Sequence, residues 1–521
     1  MIKKLIIHNE NIFNLDKYEE KIRFLDINDT LKALNEKNFD VIYIKDNLTL
    51  NCLDFFGLVL AYHIRLTDKL QEKRYLPIVI LSDLDEFTLI KLTDYAKIFF
   101  TKNTFLNQLP KVVSKFDNSN YYESFLNKIE IEKPKDISTN HDISNEWSIF
   151  KWAEFLRCES YAINKNKAKI EDMLYFKYLK AKYPIPKKNG LSLVPKSPLS
   201  QGNILYIDDE WEKGWADIFK KYFSESKNIK LTIPKFQYKD ASYSLIEEMI
   251  REQLSNSLFD LILLDLRLTK EDHEQQNENE FSGIKLLSFI KSFNPGIQVV
   301  LLTASEKSKI LNKANEYNIL GYIKKESPKD DITYSKEVFK KLTVYVDNGL
   351  EKRYLKDIWS IQQNILKLEI LNQERFNQIK IEIESIFEIL QSDMNNKFIY
   401  SMLSIFKTIE ILISFYIEER FEDKKNRFAY WIGTNQKIKT VKKDEYFSKD
   451  IKSDDKNDST LNKIRVILYE KLDLKDKKIH DDLINLVEVR NKTIHKENPK
   501  IDENEISLWF NYLLDILTKV K

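Results

Sequence analysis

Glycine is scarce, with nine residues in 521, where about 7% is usual. No Gly-x-Gly occurs anywhere. Walker loops, dinucleotide fingerprints and kinase ATP lids need clustered glycines, because their backbone approaches phosphates or takes positive φ. The scarcity argues against nucleotide binding in any such loop. Cysteine is scarcer still: Cys52 and Cys158 stand far apart in unrelated contexts, which argues against a disulfide framework and fits a reducing compartment. Charge of one sign is also lacking. Lys+Arg 83 against Asp+Glu 81 gives +2, so any attraction for nucleic acid or anionic lipid must come from a local patch. The opening MIKKLIIHNENIF has too short an apolar stretch for a signal peptide, and no run reaches the ~18 apolar residues of a membrane span. A soluble cytoplasmic protein without membrane contact is expected. What is present is core material, 43% hydrophobic and 12% aromatic, over a length that predicts three or four domains.

The clearest organisation lies at residues 200–345. Asn203-Ile-Leu-Tyr-Ile207, Ile229-Lys-Leu-Thr-Ile233, Phe259-Asp-Leu-Ile-Leu-Leu264, Ile297-Gln-Val-Val-Leu-Leu302 and Gly321-Tyr-Ile323 alternate with stretches long enough for helices, the pattern of buried parallel strands. Polar residues follow four of them: Asp208 and Asp209, Asp265, Thr303 and Lys325. In an open parallel sheet these positions converge on one crevice at the carboxyl edge. Crowded carboxylates need a cation, and oxygen ligands suit Mg²⁺, with Asp208, Asp209 and Asp265 supplying them. One carboxylate can then attack a phosphoryl group while Thr303 and Lys325 hold its oxygens.

These residues resemble the receiver domains of two-component response regulators over about 140 residues, through Ile-Asp208-Asp209, Leu-Leu-Asp265-Leu-Arg-Leu, Leu-Thr303-Ala and Gly-Tyr-Ile-Lys-Lys325. The resemblance implies Asp265 as phosphoacceptor, Asp208 and Asp209 as further metal ligands, Thr303 as switch hydroxyl and Lys325 as phosphate partner, with a histidine kinase or other phosphodonor. One departure is a polar insertion between Leu268 and Ser282, placed either to lid the site or to repel an anionic donor.

A second copy is expected over residues 1–118. Phe39-Asp-Val-Ile-Tyr-Ile44 aligns with the third strand, Pro77-Ile-Val-Ile-Leu-Ser82 with the fourth, Ile98-Phe-Phe-Thr-Lys102 with the fifth, and Gly57 with Gly283. His8 and Asn9 replace the acidic pair and Lys45 occupies the phosphoacceptor position. An ammonium stands where metal and phosphate would sit, so this half resembles a pseudo-receiver used for dimerisation or docking. Residues 119–199 read as a connector with two amphipathic helices, 146–156 and 170–179, and a linker marked by Pro184, Pro186, Pro195 and Pro198.

Beyond a connecting helix at 349–375, residues 376–521 read as helical throughout. Phe376, Ile379, Ile383, Ile386 and Leu390 form one helical stripe. Further helices are expected at about 396–421, 460–472, from 481, and 503–520. Lys424, Lys425, Arg427, Tyr430, Trp431, Lys437 and Lys439 interleave cations with aromatics, suiting either single-stranded RNA or a solvated lysine loop. In Val489-Arg490-Asn491-Lys492-Thr493-Ile494-His495, Arg490 falls on the apolar face of Leu483, Leu486 and Val487, where a guanidinium needs a partner; Glu410 is a candidate.

This string and its helical setting resemble HEPN domains. The resemblance implies metal-independent RNA cleavage: His495 as general acid or base, Arg490 stabilising phosphorane charge, Asn491 orienting substrate or His, and two copies meeting in a homodimer. Family members often serve toxin, abortive-infection and antiviral systems. The expected architecture is therefore α/β plus all-α, two flavodoxin-like (βα)5 receiver-type domains followed by an α-helical bundle. The expected activity is receiver-regulated cleavage of single-stranded RNA. The alternative is a non-enzymatic signalling protein whose bundle dimerises or relays phosphate through His480 or His495.

Overall fold

Short runs that are apolar at nearly every position are buried on both faces, and the chain uses them as parallel strands. The computed structural model describes residues 2–9, 15–51, 53–113, 120–134, 140–184, 198–226, 228–274, 280–303, 316–330, 332–422, 428–432, 436–437, 463–464, 467–468, 472–495 and 499–520. In it β1 (Lys4–His8), β2 (Glu20–Arg23), β3 (Val41–Lys45), β4 (Ile78–Leu81) and β5 (Thr104–Leu106) pair in parallel in the order β2-β1-β3-β4-β5. Helices α1 (Ile27–Glu36), α2 (Phe56–Leu66) and α3 (Glu86–Leu92) cross between strands. This doubly wound order leaves a crevice beyond the carboxyl ends of β1 and β3.

The fifth strand lies later than the sequence suggests. Residues Asp94–Phe100 form a 3-10 helix, started by the Thr93 hydroxyl accepting from Tyr95 N–H, and Asn103 turns the chain at φ 62 into β5. Lys102 therefore sits in the turn before the strand.

Four helices, not two, make the connector: α4 (Asn120–Lys128), α5 (Asn140–Leu156), α6 (Tyr161–Asp172) and α7 (Leu174–Lys182). The expected helix at 170–179 is broken at Met173, whose extended backbone (ψ 126) ends α6. Ile149, Trp152, Ala153, Phe155 and Leu156 of α5 join the core of the second α/β unit. Leu174, Tyr175, Tyr178 and Ala181 of α7 pack on the first. The proline-marked stretch falls on residues 185–197, outside the described residues.

The second unit pairs β6 (Gly202–Ile207), β7 (Ile229–Thr232), β8 (Leu261–Asp265), β9 (Gln298–Thr303) and β10 (Gly321–Lys324) in the order β7-β6-β8-β9-β10. It repeats the order of the first sheet. Every residue of β8 and β9 is buried. Its helices are α8 (Trp215–Phe223), α9 (Tyr243–Asn256), α10 (Glu271–Glu274), α11 (Ser282–Phe293) and α12 (Ile332–Glu351). The expected Gly57/Gly283 correspondence holds in space: a Cβ on Gly57 would lie 2.0 Å from the Lys45 carbonyl oxygen, and one on Gly283 2.4 Å from that of Asp265. In both units a helix starts directly against the end of the third strand, where only glycine fits.

The terminal bundle comprises α13 (Tyr354–Leu366), α14 (Asn377–Gln391), α15 (Lys397–Tyr416), α16 (Lys477–Ile494) and α17 (Glu503–Lys519). Phe376, Ile379, Ile383, Ile386 and Leu390 are all buried, as their spacing predicts. The connecting helix expected from the sequence is α13, and it belongs to this core: Tyr354, Leu355, Ile358, Ile361 and Ile365 cluster with α14–α17. It is separated from α12 by a break at residues 352–353. The helix expected to reach residue 421 ends at Tyr416 and the chain continues as β11 (Ile417–Glu422), β12 (Phe428–Ile432) and β13 (Gln436–Lys437), an antiparallel sheet. Most of 460–472 lies outside the described residues. By length and composition α15 is apolar enough to cross a membrane; here Met402, Ile405, Phe406, Ile409, Leu412 and Ile413 are buried in the bundle core. The bundle meets the second unit at the amino edge of its sheet, where Lys356 Nζ lies 2.6 Å from Asp260 Oδ1.

Candidate functional site: a carboxylate and lysine crevice

The turn after β6 presents Asp208 and Asp209, β8 ends on Asp265, β9 ends on Thr303, and Lys325 follows β10. All five expected residues thus reach one edge of the sheet. Lys325 Nζ lies 3.1 Å from Asp208 Oδ2 and 2.9 Å from Asp265 Oδ1. Its ammonium also stands 5.0 Å from the Trp215 ring centroid. Lys325 N–H donates to the Thr303 carbonyl at 2.6 Å, which fixes the lysine beside the threonine. The backbone N–H of Glu210 donates to Asp208 Oδ1 at 2.7 Å and that of Arg267 to Asp265 Oδ2 at 2.8 Å. Each carboxylate is held by the turn that follows its strand.

Three residues that the sequence did not single out complete the site. Glu210 is almost fully buried and pairs with Lys213 and Lys239, each at 2.7 Å from Oε1; Lys239 also lies 3.3 Å from Asp209 Oδ2. Glu210 directly extends the acidic pair, a signal available in the sequence. Lys239 comes from the loop after β7 and carries no such signal. Four carboxylates, Asp208, Asp209, Glu210 and Asp265, thus face three ammoniums, Lys213, Lys239 and Lys325.

Electrostatics follow from that imbalance. Burial, then Asp208, Glu210 and Asp265, push the Asp209 carboxyl well above its ordinary range. Burial also raises Asp208, against the pull of Lys325. Burial opposes ionisation of Glu210 too, but Lys213, Lys239 and Lys325 outweigh it and bring the carboxyl down to about 2. Burial disfavours the Lys325 ammonium, yet Asp208, Asp265, Glu210 and Asp209 hold its pKa above the ordinary lysine value.

Asp209 Oδ2, Glu210 Oε2 and Asp265 Oδ1 are buried and accept no hydrogen bond, although the first and last lie within ion-pair distance of a lysine. An ammonium attracts a carboxylate from any direction, so Asp209 Oδ2 and Asp265 Oδ1 are paired by charge. Among the described residues no three acidic, His or Cys side chains form a ready-made metal cage. The oxygen-only donor set, with Glu210 Oε2 left unpaired, nonetheless suits a hard divalent cation.

The described start of the insertion expected after Leu268 forms α10 and is anchored through Asp272. Asp272 is buried; its Oδ2 accepts from Leu268 N–H at 2.8 Å and from the Ser282 hydroxyl, and its Oδ1 from Ser282 N–H at 2.9 Å. Residues 275–279 lie outside the described residues.

The matching crevice of the first unit is chemically closed. Lys45 Nζ lies 3.8 Å from Asp46 Oδ1 and 3.5 Å from Asp83 Oδ2. The expectation of a crevice without carboxylates is corrected by Asp46: its Oδ2 accepts from the Ser82 hydroxyl and its Oδ1 from Asn47 N–H at 2.7 Å. Asn107, at the end of β5, clasps Ser82 through both backbone groups at 2.9 Å. Asp46 is thus engaged in internal bonds, and Asp83 is exposed at the rim.

In the bundle, Arg490 is half-buried, 3.7 Å from Glu410 Oε1, 3.1 Å from Asn491 Oδ1, and 4.8 Å from the Phe406 ring centroid. The Glu410 partner expected from sequence is in place. Asn491 is exposed, and His495 is the exposed residue that closes α16, its N–H donating to the Asn491 carbonyl at 3.1 Å. His480 is different: it is buried, with Nε2 3.0 Å from the Leu474 carbonyl, a poor position for phosphate exchange. Of the cation and aromatic set, Lys424, Lys425, Arg427 and Lys439 lie outside the described residues, while Tyr430 and Trp431 fall on β12 and Lys437 on β13.

Among solved structures, NtrX from Brucella abortus is similar at 15% identity over 37% of this chain and 40% of its own, with a TM-score of 0.22. This chain thus spans less than half of that relative. A LuxR-family two-component response regulator from Aurantimonas sp. SI85-9A1 is similar at 17% identity over 27% of this chain and 87% of its own, with a TM-score of 0.18. Comparison with curated proteins returns no match. Residues 1–107, whose crevice Lys45 neutralises, match the family model of the inactive receiver domain.

Proposed function

We propose that the protein is a phosphorylation-gated endoribonuclease in which the second α/β unit is a working receiver and the helical bundle is the effector. The observation that carries the receiver half of the reading is the Lys325 ammonium set between Asp208 and Asp265 beside Thr303. Asp265 would attack the phosphorus of a phosphodonor, forming an acyl phosphate as the donor's own P–O or P–N bond breaks. Lys325 and the Thr303 hydroxyl then hold the transferred oxygens. Asp208, Asp209 and Asp265 would hold Mg²⁺, which when bound neutralises phosphoryl charge.

In the bundle, the substrate's 2′-hydroxyl attacks the adjacent phosphorus and the 5′-oxygen leaves, with His495 moving the proton, Arg490 facing the phosphorane charge and Asn491 orienting the group it touches. Glu410 positions Arg490. This chemistry needs no metal and rejects DNA, which lacks the nucleophile. A homodimer would bring two such corners together, and a stress, toxin or antiphage response is the setting the HEPN resemblance supplies. The buried position of His480 weighs against a relay through that residue.

The test is cleavage of single-stranded RNA by the purified chain in EDTA. Wild type is expected to cut and His495→Ala to lose activity by at least a hundredfold, in line with removal of a general acid or base; equal cleavage by the variant would sink the nuclease assignment. With Mg²⁺ and acetyl phosphate, cleavage is expected to change in wild type and not in Asp265→Asn.

A further inference from the structure

The face on which α7 meets α2 buries a charge that neither proposed site uses. Lys177 is 6% exposed. Its Nζ donates to His63 Nδ1 at 3.1 Å and to Thr67 Oγ1 at 3.2 Å. Both acceptors are neutral, since burial and the nearby Lys177 push the His63 ring down to about 3. An ammonium has three protons to donate, and among the described residues no carboxylate stands within 4.0 Å of this one. The acids nearest in the fold are already engaged. Glu171 pairs with Lys69 at 2.7 Å, Asp68 with Lys180 at 3.6 Å, and Asp172 Oδ1 accepts from Asn28 at 3.1 Å.

Lys177 and Thr67 line a cavity of about 370 Å³ between α1, the end of α2 and the connector helices. Leu31, Leu66 and Leu70 supply apolar wall; Lys32, Lys69 and Lys180 share the rim with Asp68, Glu171 and Asp172, so that with Lys177 four ammoniums face three carboxylates. Pockets of this size with apolar walls and a few fixed polar groups are the ordinary form of small-molecule sites. A buried ammonium with no carboxylate in contact is only partly compensated by acids farther off, and an anion placed directly on it would be favourable.

We infer that this cavity binds a small organic acid, with its apolar body against Leu31, Leu66 and Leu70 and its carboxylate or phosphate on Lys177 and the Thr67 hydroxyl. Such a ligand touches the inactive receiver unit and α7 at once, so its binding ties the connector to that unit. The inference is independent of the receiver and nuclease readings. It gives the chemically closed first unit an input of its own.

Isothermal titration of the full chain tests it, with benzoate and 3-methylbutanoate as carboxylate probes and AMP as the phosphate probe. Saturable binding of a carboxylate probe or of AMP at millimolar concentration, weakened at least tenfold by Lys177→Met, is the expected result, and the probe that binds identifies the head group. Leu70→Phe, which narrows the cavity and keeps the lysine, is expected to weaken the same probe. No binding of any probe to wild type, or binding that survives Lys177→Met, overturns the inference.

Discussion

Glu326 offers the sharpest test of how the connector is held. The residue follows Lys325 and is fully buried. Its carboxylate lies 2.5 Å from Lys151 Nζ and accepts from Trp152 Nε1 and Ser335 Oγ, both at 2.8 Å, while its carbonyl accepts from Ser148 Oγ at 3.0 Å. Three of these partners belong to α5. Glu326→Ala removes the acid from a buried ammonium and leaves the Trp152 and Ser335 donors stranded. Breaking one side of a buried pair costs about 3–5 kcal/mol. For a domain of this size that is a fall of roughly 6–20 °C in unfolding temperature.

The double variant Lys151→Met/Glu326→Leu removes both charges and is expected to recover most of the loss, because a buried pair stabilises little relative to apolar groups of similar volume. Calorimetry of the full chain gives the magnitude, and hydrogen exchange gives the place: protection should fall in α5 for the single variant. A single variant within about 2 °C of wild type, or a double variant no more stable than the single, would refute the view that this cluster fastens the connector.

Two further outcomes follow from packing and burial. Gly283→Ala and Gly57→Ala each drive a Cβ into a strand-end carbonyl and should cost about 1–3 kcal/mol, read as a lower unfolding temperature; an unchanged temperature in either would contradict the close approach of helix to strand. Burial brings the Lys177 amine down to about 8 against the opposing pull of Asp172, Glu171 and Asp68. Between that value and the ordinary 10.5 the unfolded chain binds more protons than the folded one, so this group's contribution to stability rises with pH. Lys177→Met should therefore stabilise the chain at pH 7 by roughly 3 kcal/mol, before the loss of its two hydrogen bonds, with the advantage vanishing by about pH 10.5. An equal gap at both pH values would count against a buried ammonium.

How much of this was legible in the sequence depended on distance along the chain. The strands of the second unit could be read because β8 and β9 are apolar on both faces, and Asp208, Asp209, Asp265, Thr303 and Lys325 sit at or just after strand ends. The fifth strand of the first unit could not, because Ile98-Phe-Phe has a strand's composition while Thr93 and Asn103 impose turn geometry on either side. Helix α6 hid behind its polar sequence; it buries Ile163, Asn166 and Ile170, and the Ser160 cap was its clearest signal. Lys239, Glu326 and Lys177 act through partners that only folding brings near, and no local pattern marks them.

Helix α12 ties the two ends of the second unit together. Ser335 in its first turn bonds Glu326 next to the crevice, and at its far end Leu350 lies against Gly202, with Arg353 bonding the Gln201 carbonyl and Lys356 pairing with Asp260 just beyond. Its 20 residues make a rod about 30 Å long. A rigid lever of that length amplifies: a tilt of about 5° about the Glu326 end carries the other end about 2.6 Å sideways. A small tilt at the crevice end would thus reach the break before α13 as a sideways displacement of a few ångström.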